Sequence, residues 1–160
     1  MDTRIRMEEM IKNKKDGPTI FELSYLIKIN DHSSKNIINP KINETRAALE
    51  CAFENGGYVH LDIYSEDGFF LERLDMTSIG KKYRLVYLRF YCDYKEQLYE
   101  WWEPGDSPFR DFVRFGDDNW DARTVCSDIS VAQDIFEELL TSGDLISGLL
   151  QMRSDWNPKP

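Results

Sequence analysis

Alternation of apolar and polar side chains runs through much of the chain and predicts β-strands. Between residues 20 and 29, every second residue is apolar or aromatic, which is the period-two pattern of a half-buried strand. The same alternation recurs in residues 58–64, residues 69–76 predict a second strand, and residues 83–92 predict a third, which is apolar on both sides. Short glycine-containing turns separate the segments, so we predict an antiparallel meander whose last strand lies centrally in the sheet.

The last third of the chain holds further strand patterns and the densest acid. Residues 109–115 and 120–126 flank a Gly-Asp-Asp-Asn turn at residues 116–119, which predicts a hairpin. Residues 98–102 predict a short aromatic strand or loop, and the composition of residues 31–40 predicts a loop.

Two amphipathic helices are predicted. The first begins at Asn43 as N-cap, carries a small alanine-rich stripe and ends at a pair of glycines. The second has clearer signals, because Ser130 and Gln133 match a capping box and the apolar residues that follow recur at helical spacing. Asp128 is a competing cap, and Gly143 is the expected stop.

Together these elements predict an α+β fold, in which an antiparallel sheet of about five to six strands carries two main helices. The length of 160 residues fits a single domain that spans residues 1–160. Residues 1–16 are polar and weakly periodic, and they predict a frayed or helical N-terminal arm.

Composition, cysteine spacing and the lack of long apolar runs indicate the cellular compartment of the protein. Hydrophobic residues make up 41% of the chain, enough for a core without disulfides. The three cysteines, Cys51, Cys92 and Cys126, form no CxxC pair, so we predict buried free thiols. No apolar run approaches the roughly 18 residues of a membrane helix, and the charged N-terminus lacks a signal-peptide core. We therefore expect a cytoplasmic protein that does not bind membranes.

The net charge of −9 is unevenly placed. Residues 1–92 contain 14 acidic and 14 basic side chains, whereas residues 93–160 contain 15 acidic side chains against 6 Lys and Arg. An acidic field of this kind repels nucleic acid and attracts basic proteins. We therefore predict a basic protein partner and no binding of nucleic acid.

Histidine and cysteine give little sign of catalysis. The two histidines are His32, in a polar loop, and His60, on the outer side of a predicted strand. No serine or cysteine lies in a nucleophile motif. A pairing of His60 with Cys92 or Cys126 in space stays open as an alternative.

Carboxylates give no clearer chemical signature. The aspartates within residues 117–121 resemble a fragment of a calcium loop, but the spacing of that loop is absent. A hydrolytic pair among Glu100, Glu103 and Asp111 stays open, although no spacing supports it. We therefore predict no metal, no cofactor and no enzymatic activity.

Aromatic and acidic residues lie together before and within the predicted hairpin. Trp101 and Trp102 are adjacent on a strand, so one is expected in the core and the other as a partly exposed anchor. The predicted partner-binding residues are Glu96, Glu100, Trp101, Trp102, Glu103, Asp106, Asp117 and Asp118.

Other charged and aromatic residues of the hairpin are expected to fix the fold. Asp121 and Arg123 predict a local ion pair, for which Asp128 is a second possible partner. Trp120 is expected to stack on Arg114 across the hairpin.

The end of the chain resembles a family of small, acidic, largely uncharacterised bacterial proteins that close with a GD-x-W-D … C-x-D hairpin, an amphipathic helix and a glycine stop. The residues that carry the resemblance are Gly116, Asp117, Trp120, Asp121, Cys126, Asp128, Ser142 and Gly143. The same ending is similar to that of immunity proteins from polymorphic-toxin and contact-dependent-inhibition systems.

That resemblance implies a non-catalytic, cytoplasmic immunity protein that binds and neutralises a cognate toxin domain. Toxin domains of this kind are often basic nucleases, so the acidic end of this chain would meet a basic partner. Two alternatives stay open: another protein-binding or regulatory module, including a homo-oligomer, and an enzyme with an unrecognised site.

Overall fold

The computed structural model describes residues 18–28, 33–90 and 96–154, so the predicted N-terminal arm lies outside the described residues. The strands are β1 Thr19–Ile27, β2 Lys35–Ile38, β3 Gly57–Ser65, β4 Phe70–Ile79, β5 Lys82–Phe90, β6 Glu96–Trp101, β7 Phe112–Phe115, β8 Asp118–Asp121 and β9 Met152–Arg153. The helices are α1 Ile42–Asn55, α2 Ile129–Ser142 and the short α3 Ser147–Leu150, and a 3-10 turn covers Ala122–Thr124.

Seven strands form one antiparallel sheet in the order β2-β1-β3-β4-β5-β6-β9, and β7 and β8 form a separate hairpin. This confirms the predicted α+β class, with an antiparallel sheet and α1 and α2 as the two main helices. The sheet is wider than expected because the short edge strands β2 and β9 join it. β2 lies within the segment that composition predicted to be a loop, since its pairing with β1 outweighs its polar sequence.

α1 and α2 cover one face of the sheet, named here the helix face, and enclose the core. Leu23, Leu61 and Leu74 are direct neighbours across β1, β3 and β4 and are fully buried. Ala48 and Ala52 are the buried small residues of α1, and they let the helix lie close to these strands. Each large apolar side chain buried in this way contributes about 1.5–3 kcal/mol.

Side chains alternate along a strand, so the residues between the core positions point to the opposite face. We name that side the hairpin face, because the β7–β8 hairpin packs against it: Trp120 of β8 meets Arg84 of β5 there. Ser24, His60 and Asp75 stand in one row of this face across β1, β3 and β4.

The hairpin strands are shorter than predicted. β8 ends at Asp121, because the Asp121 side chain accepts a hydrogen bond from the backbone N–H of Arg123 and so starts the 3-10 turn. The chain then returns to the main sheet at a single bridge between Cys126 and Tyr83. From there it passes to the helix face as α2.

The first main helix begins before its predicted N-cap, and the second begins at the competing cap rather than at the capping box. Asp128 caps α2, since its Oδ1 accepts hydrogen bonds from the backbone N–H (3.0 Å) and the hydroxyl (2.7 Å) of Ser130. α1 begins after Lys41, whose backbone N–H donates to Glu44 at 3.0 Å. Gly143 ends α2 in the left-handed conformation, with φ of 74°, as predicted.

Candidate functional site

Trp102 joins the hairpin to the edge of the sheet. The Cζ atoms of Arg153 and Arg123 lie 4.0 Å and 4.9 Å from the centroid of its indole ring. Arg153 belongs to β9 and Arg123 to the turn that follows β8, so one ring contacts two distant segments. Each cation–π contact contributes about 0.5–1 kcal/mol at an exposed site and more where water is excluded.

Trp101 points to the other side of β6. It is 5% exposed and pairs with Met152 of β9, so it belongs to the core. The sequence correctly predicted that one of the two tryptophans is core and the other partly exposed. In this conformation neither is a free anchor, because Trp101 is buried and Trp102 is engaged by two arginines.

Arg123 organises the base of the hairpin through Asp121. Its Nε and Nη2 donate to the two carboxylate oxygens of Asp121 at 3.0 Å and 2.7 Å, and its Nη1 donates to the carbonyl of Ser107 at 2.9 Å. These hydrogen bonds lower the pKa of Asp121 below its ordinary value. The predicted ion pair of Asp121 with Arg123 is therefore confirmed, and Asp128 serves α2 as its cap instead.

Trp120 stacks on a different arginine from the one predicted. The Cζ atom of Arg84 lies 3.5 Å from the ring centroid of Trp120, and Arg84 also forms an ion pair with Glu100. Arg114 is exposed, and its Nε donates to the carbonyl of Gly116 at 3.4 Å. The prediction considered contacts within the hairpin, whereas the contact that forms joins the hairpin to β5.

Glu103 is also neutralised within the chain. Arg110 Nη1 donates to its carboxylate at 2.6 Å, and this hydrogen bond lowers the pKa of Glu103. Of the predicted acidic binding residues, Glu100 and Glu103 therefore each have an arginine partner. The backbone of Glu96 begins β6, and its side chain lies outside the described part of the chain.

The remaining predicted acids are solvent-exposed and carry uncompensated charge. Among the described residues, no cationic side chain forms an ion pair with Asp106, Asp117 or Asp118, and the same holds for the exposed Asp111. Two exposed phenylalanines lie in the same segment, 52% and 60% exposed, with ring centroids 5.0 Å apart. We name the set the acidic hairpin surface: Asp106, Phe109, Asp111, Phe112, Asp117 and Asp118.

A second polar cluster occupies the hairpin face of β3 and β4. His60 Nδ1 lies 3.1 Å from Oδ1 of Asp75, and the hydroxyl of Thr77 donates to the other oxygen of Asp75 at 3.1 Å. Next to this pair, Arg73 donates to both carboxylate oxygens of Asp62 at 2.7 Å and 2.8 Å. Burial lowers the pKa of His60 and raises the pKa of Asp75.

Neither cysteine that the structure describes meets His60. Cys126 is buried beside Tyr83, whose side chain points to the helix face. Burial raises the pKa of the Cys126 thiol. Cys51 is exposed on α1, so the prediction of a buried thiol is wrong there, and Cys92 lies outside the described residues.

Two general features of the described residues bear on function. Within residues 18–28, 33–90 and 96–154, no group of three or more His, Cys, Asp or Glu side chains is placed to hold a metal ion. Over the same residues, no helix has the length and apolar character needed to cross a membrane.

A solved structure and a protein family resemble this chain. No curated protein matches it. A crystal structure of a hypothetical protein from Neisseria gonorrhoeae is similar, with a TM-score of 0.57 and 15% sequence identity, over 81% of this chain and 90% of that one. At that identity the likeness shows the fold alone. A family model described as a family of unknown function, DUF6911, matches residues 20–149, and the chain therefore belongs to that family.

Proposed function

We propose that this protein is a cytoplasmic immunity protein, which binds a basic toxin domain through the acidic hairpin surface and blocks it by occlusion. The observation that carries the proposal is that residues 106–118 hold four exposed aspartates without an ion pair to a described residue, together with two exposed phenylalanines. The free thiols of Cys51 and Cys126 support a reducing compartment.

The charges would act on the rate of association. Exposed acids that keep their charge attract a basic protein over a distance of about one Debye length, roughly 8–10 Å at ordinary salt. Asp117 and Asp118 stand at the tip of the hairpin and form no ion pair with a described residue, and the one cation beside them is the exposed Arg114, which donates to the carbonyl of Gly116. Glu100 and Glu103 contribute less to this field, because arginines already neutralise them.

The phenylalanines would act on the rate of dissociation. Phe109 and Phe112 bring apolar surface into the middle of the charged segment, and aromatic residues at the centre of an interface often dominate binding energy. They take the anchor role that the sequence assigned to Trp101 or Trp102. Their burial against a partner also shields the surrounding ion pairs from water.

The direct test is binding to the C-terminal domain of the protein encoded immediately upstream. We expect a tight complex and rescue of growth when the two are expressed together. The variant Asp117→Lys with Asp118→Lys should lower the association rate about tenfold or more and flatten its salt dependence. Glu66→Lys with Asp67→Lys is the matched control, since these are also two adjacent exposed acids in a strand-connecting turn.

A second variant separates the apolar contribution. Phe109→Ala with Phe112→Ala should leave the association rate nearly unchanged and raise the dissociation rate about 30-fold, which corresponds to about 2 kcal/mol. If both double variants bind like the control, the assigned surface is wrong. If the wild-type protein does not bind the neighbouring domain, the immunity function is wrong.

The alternative of a self-associating regulatory module has support in the same phenylalanines, because exposed aromatic pairs also favour homo-oligomers. Light scattering after size-exclusion chromatography distinguishes the two. A monomer at micromolar concentration supports the inhibitor, whereas a dimer that Phe109→Ala with Phe112→Ala dissociates supports self-association.

A further inference from the structure

A groove opens where the first turns of α1 meet the last turn of α2, and we name it the interhelix groove. It lies between Phe21 of β1, residues 39–43 and Arg46 at the start of α1, and Leu140 and Thr141 at the end of α2. Its volume is about 720 Å³. Sites for small molecules usually measure about 300–1,000 Å³, so the groove has the size of a ligand site.

Apolar side chains from three segments line the groove. Phe21 and Leu140 are half-buried and pack against the core, and Pro40 is buried in the connection before α1. Ile42, the first residue of α1, is 39% exposed. Apolar surface that is accessible in a concave site favours a ligand whose hydrocarbon covers it.

Hydrogen bonds fix the geometry of the groove. Asn39 has a positive φ of 48°; its N–H donates to the carbonyl of Phe21 at 2.7 Å, and its Oδ1 accepts from the N–H of Phe21 at 3.2 Å. Nε of Arg46 donates to Glu137 at 3.2 Å and so joins α1 to α2. A site that is ordered in advance loses less conformational entropy when a ligand binds.

The charged side chains that line the groove are positive, although the chain as a whole carries −9. Among the described residues of the lining, Lys41 and Arg46 are cationic and none is acidic. Lys41 is exposed and forms no ion pair with a described residue. Two neighbouring acids are already engaged, since Glu44 accepts from the backbone N–H of Lys41 and Glu137 binds Nε and Nη2 of Arg46. An anionic group in the groove can therefore bind the ammonium of Lys41.

We propose that the interhelix groove binds a free, unbranched fatty acid of about 8–12 carbons, with its hydrocarbon against Phe21, Ile42 and Leu140 and its carboxylate beside Lys41. The apolar lining selects an amphiphile, and the cation at its edge selects an anion over an amphiphile of positive charge. This inference goes beyond the proposed binding function and uses none of the acidic hairpin surface.

Titration of the full chain with decanoate, followed by NMR spectroscopy of the backbone amides, tests the proposal. We expect saturable binding with a Kd on the order of 100 μM and shifts concentrated in residues 39–46 and 140–143. Octanoate should bind about tenfold more weakly, because each of the two missing methylenes contributes about threefold to fourfold. Decyltrimethylammonium, which has the same chain and the opposite charge, should also bind at least about tenfold more weakly than decanoate.

Two variants locate the ligand. Lys41→Glu should weaken the binding of decanoate about tenfold by charge reversal. Thr141→Trp places a large ring in the groove from an exposed position and should abolish the saturable shifts. Lys82→Glu is the matched control, because it changes an exposed lysine near the other end of α1, where the adjacent Lys81 pairs with Glu54. Urea unfolding confirms that each variant is folded.

The proposal is overturned if decanoate causes no saturable shifts, if the shifts lie elsewhere on the chain, or if decyltrimethylammonium binds as tightly as decanoate. Equal binding of decanoate by Lys41→Glu and Lys82→Glu would overturn it too, as would undiminished binding by Thr141→Trp. The variant Asp117→Lys with Asp118→Lys should keep the wild-type Kd for decanoate, so failure of this inference and failure of the proposed function are distinguishable.

Discussion

Replacing Tyr83 with phenylalanine tests the joint between β5 and the start of α2. Tyr83 is fully buried, and its hydroxyl donates to the carbonyl of Asp128 at 2.7 Å and accepts from the N–H of Ala132 at 3.0 Å. Burial raises the pKa of Tyr83, so the hydroxyl stays protonated and can donate. Tyr83→Phe keeps the ring, including its edge contact with Phe53, and removes both hydrogen bonds.

The expected loss of stability follows from the two backbone groups that lose their partner, the carbonyl of Asp128 and the N–H of Ala132. A buried donor or acceptor that loses its partner costs about 1–3 kcal/mol. Asp128 and Ala132 are also an i, i+4 pair, so a tighter first turn of α2 recovers part of that loss by direct bonding. We therefore expect Tyr83→Phe to lower the free energy of unfolding by about 2 kcal/mol, near the middle of the range for one group.

Urea unfolding followed by tryptophan fluorescence measures this change, with an unchanged m value as evidence that both states keep their compactness. For a chain of this size the loss corresponds to a fall in Tm of about 4–8 °C. Tyr58→Phe is the matched control, because Tyr58 is half-buried and its hydroxyl has no hydrogen bond with a described residue. Equal stabilities for the two variants would refute the reasoning.

Three further predictions concern the hairpin face and α2. Because burial lowers the pKa of His60, its imidazole binds fewer protons in the folded protein than in the unfolded chain, and stability should fall as the pH drops through about 6.5, until uptake of a proton by Asp75, whose pKa is raised, opposes the fall. His60→Asn should remove that fall in urea titrations; an unchanged fall would assign it elsewhere. Trp102→Leu should cost about 1–2 kcal/mol and speed amide exchange in β7 and β8 more than in β3. Asp128→Ala should cost about 1 kcal/mol by loss of the cap, and Ser130→Ala less; the reverse order would contradict the assigned cap.

Local signals were enough to predict the fold class. Alternation identified β1 and β3, because a half-buried strand needs nothing beyond its own sequence to show which side is apolar, and glycine-containing turns and apolar content identified β4 and β5. The helical spacing before Gly143 identified α2 for the same reason. β2 and β9 were missed because four and two residues are too few to show a period. Their place in the sheet depends on pairing with neighbours that the sequence does not reveal.

The predicted binding surface shows the limit of counting charges along a chain. The acids of residues 93–160 outnumber the cations, yet Arg84 of β5 neutralises Glu100, and Arg110 neutralises Glu103. Trp102 is likewise occupied by Arg123 and by Arg153 of β9. These partners come from other elements or from a loop whose path is not encoded locally. In the folded protein, the acids beside the tryptophans are therefore paired with arginines, whereas Asp117 and Asp118 at the tip of the hairpin have no ion pair with a described residue.

The row of Ser24, His60 and Asp75 on the hairpin face could not have been predicted either, because its members come from three separate strands and no motif links them. The core nevertheless determines their alignment. Leu23, Leu61 and Leu74 are buried neighbours on the helix face, and the next residue in β1 and β4 and the preceding one in β3 are Ser24, Asp75 and His60. A one-residue slip of any strand would place its apolar set on the wrong face, so core burial strongly penalises such slips. The same packing that stabilises the sheet therefore aligns the hydroxyl, imidazole and carboxylate in one row, so that the register of the core determines which polar side chains are neighbours on the opposite face.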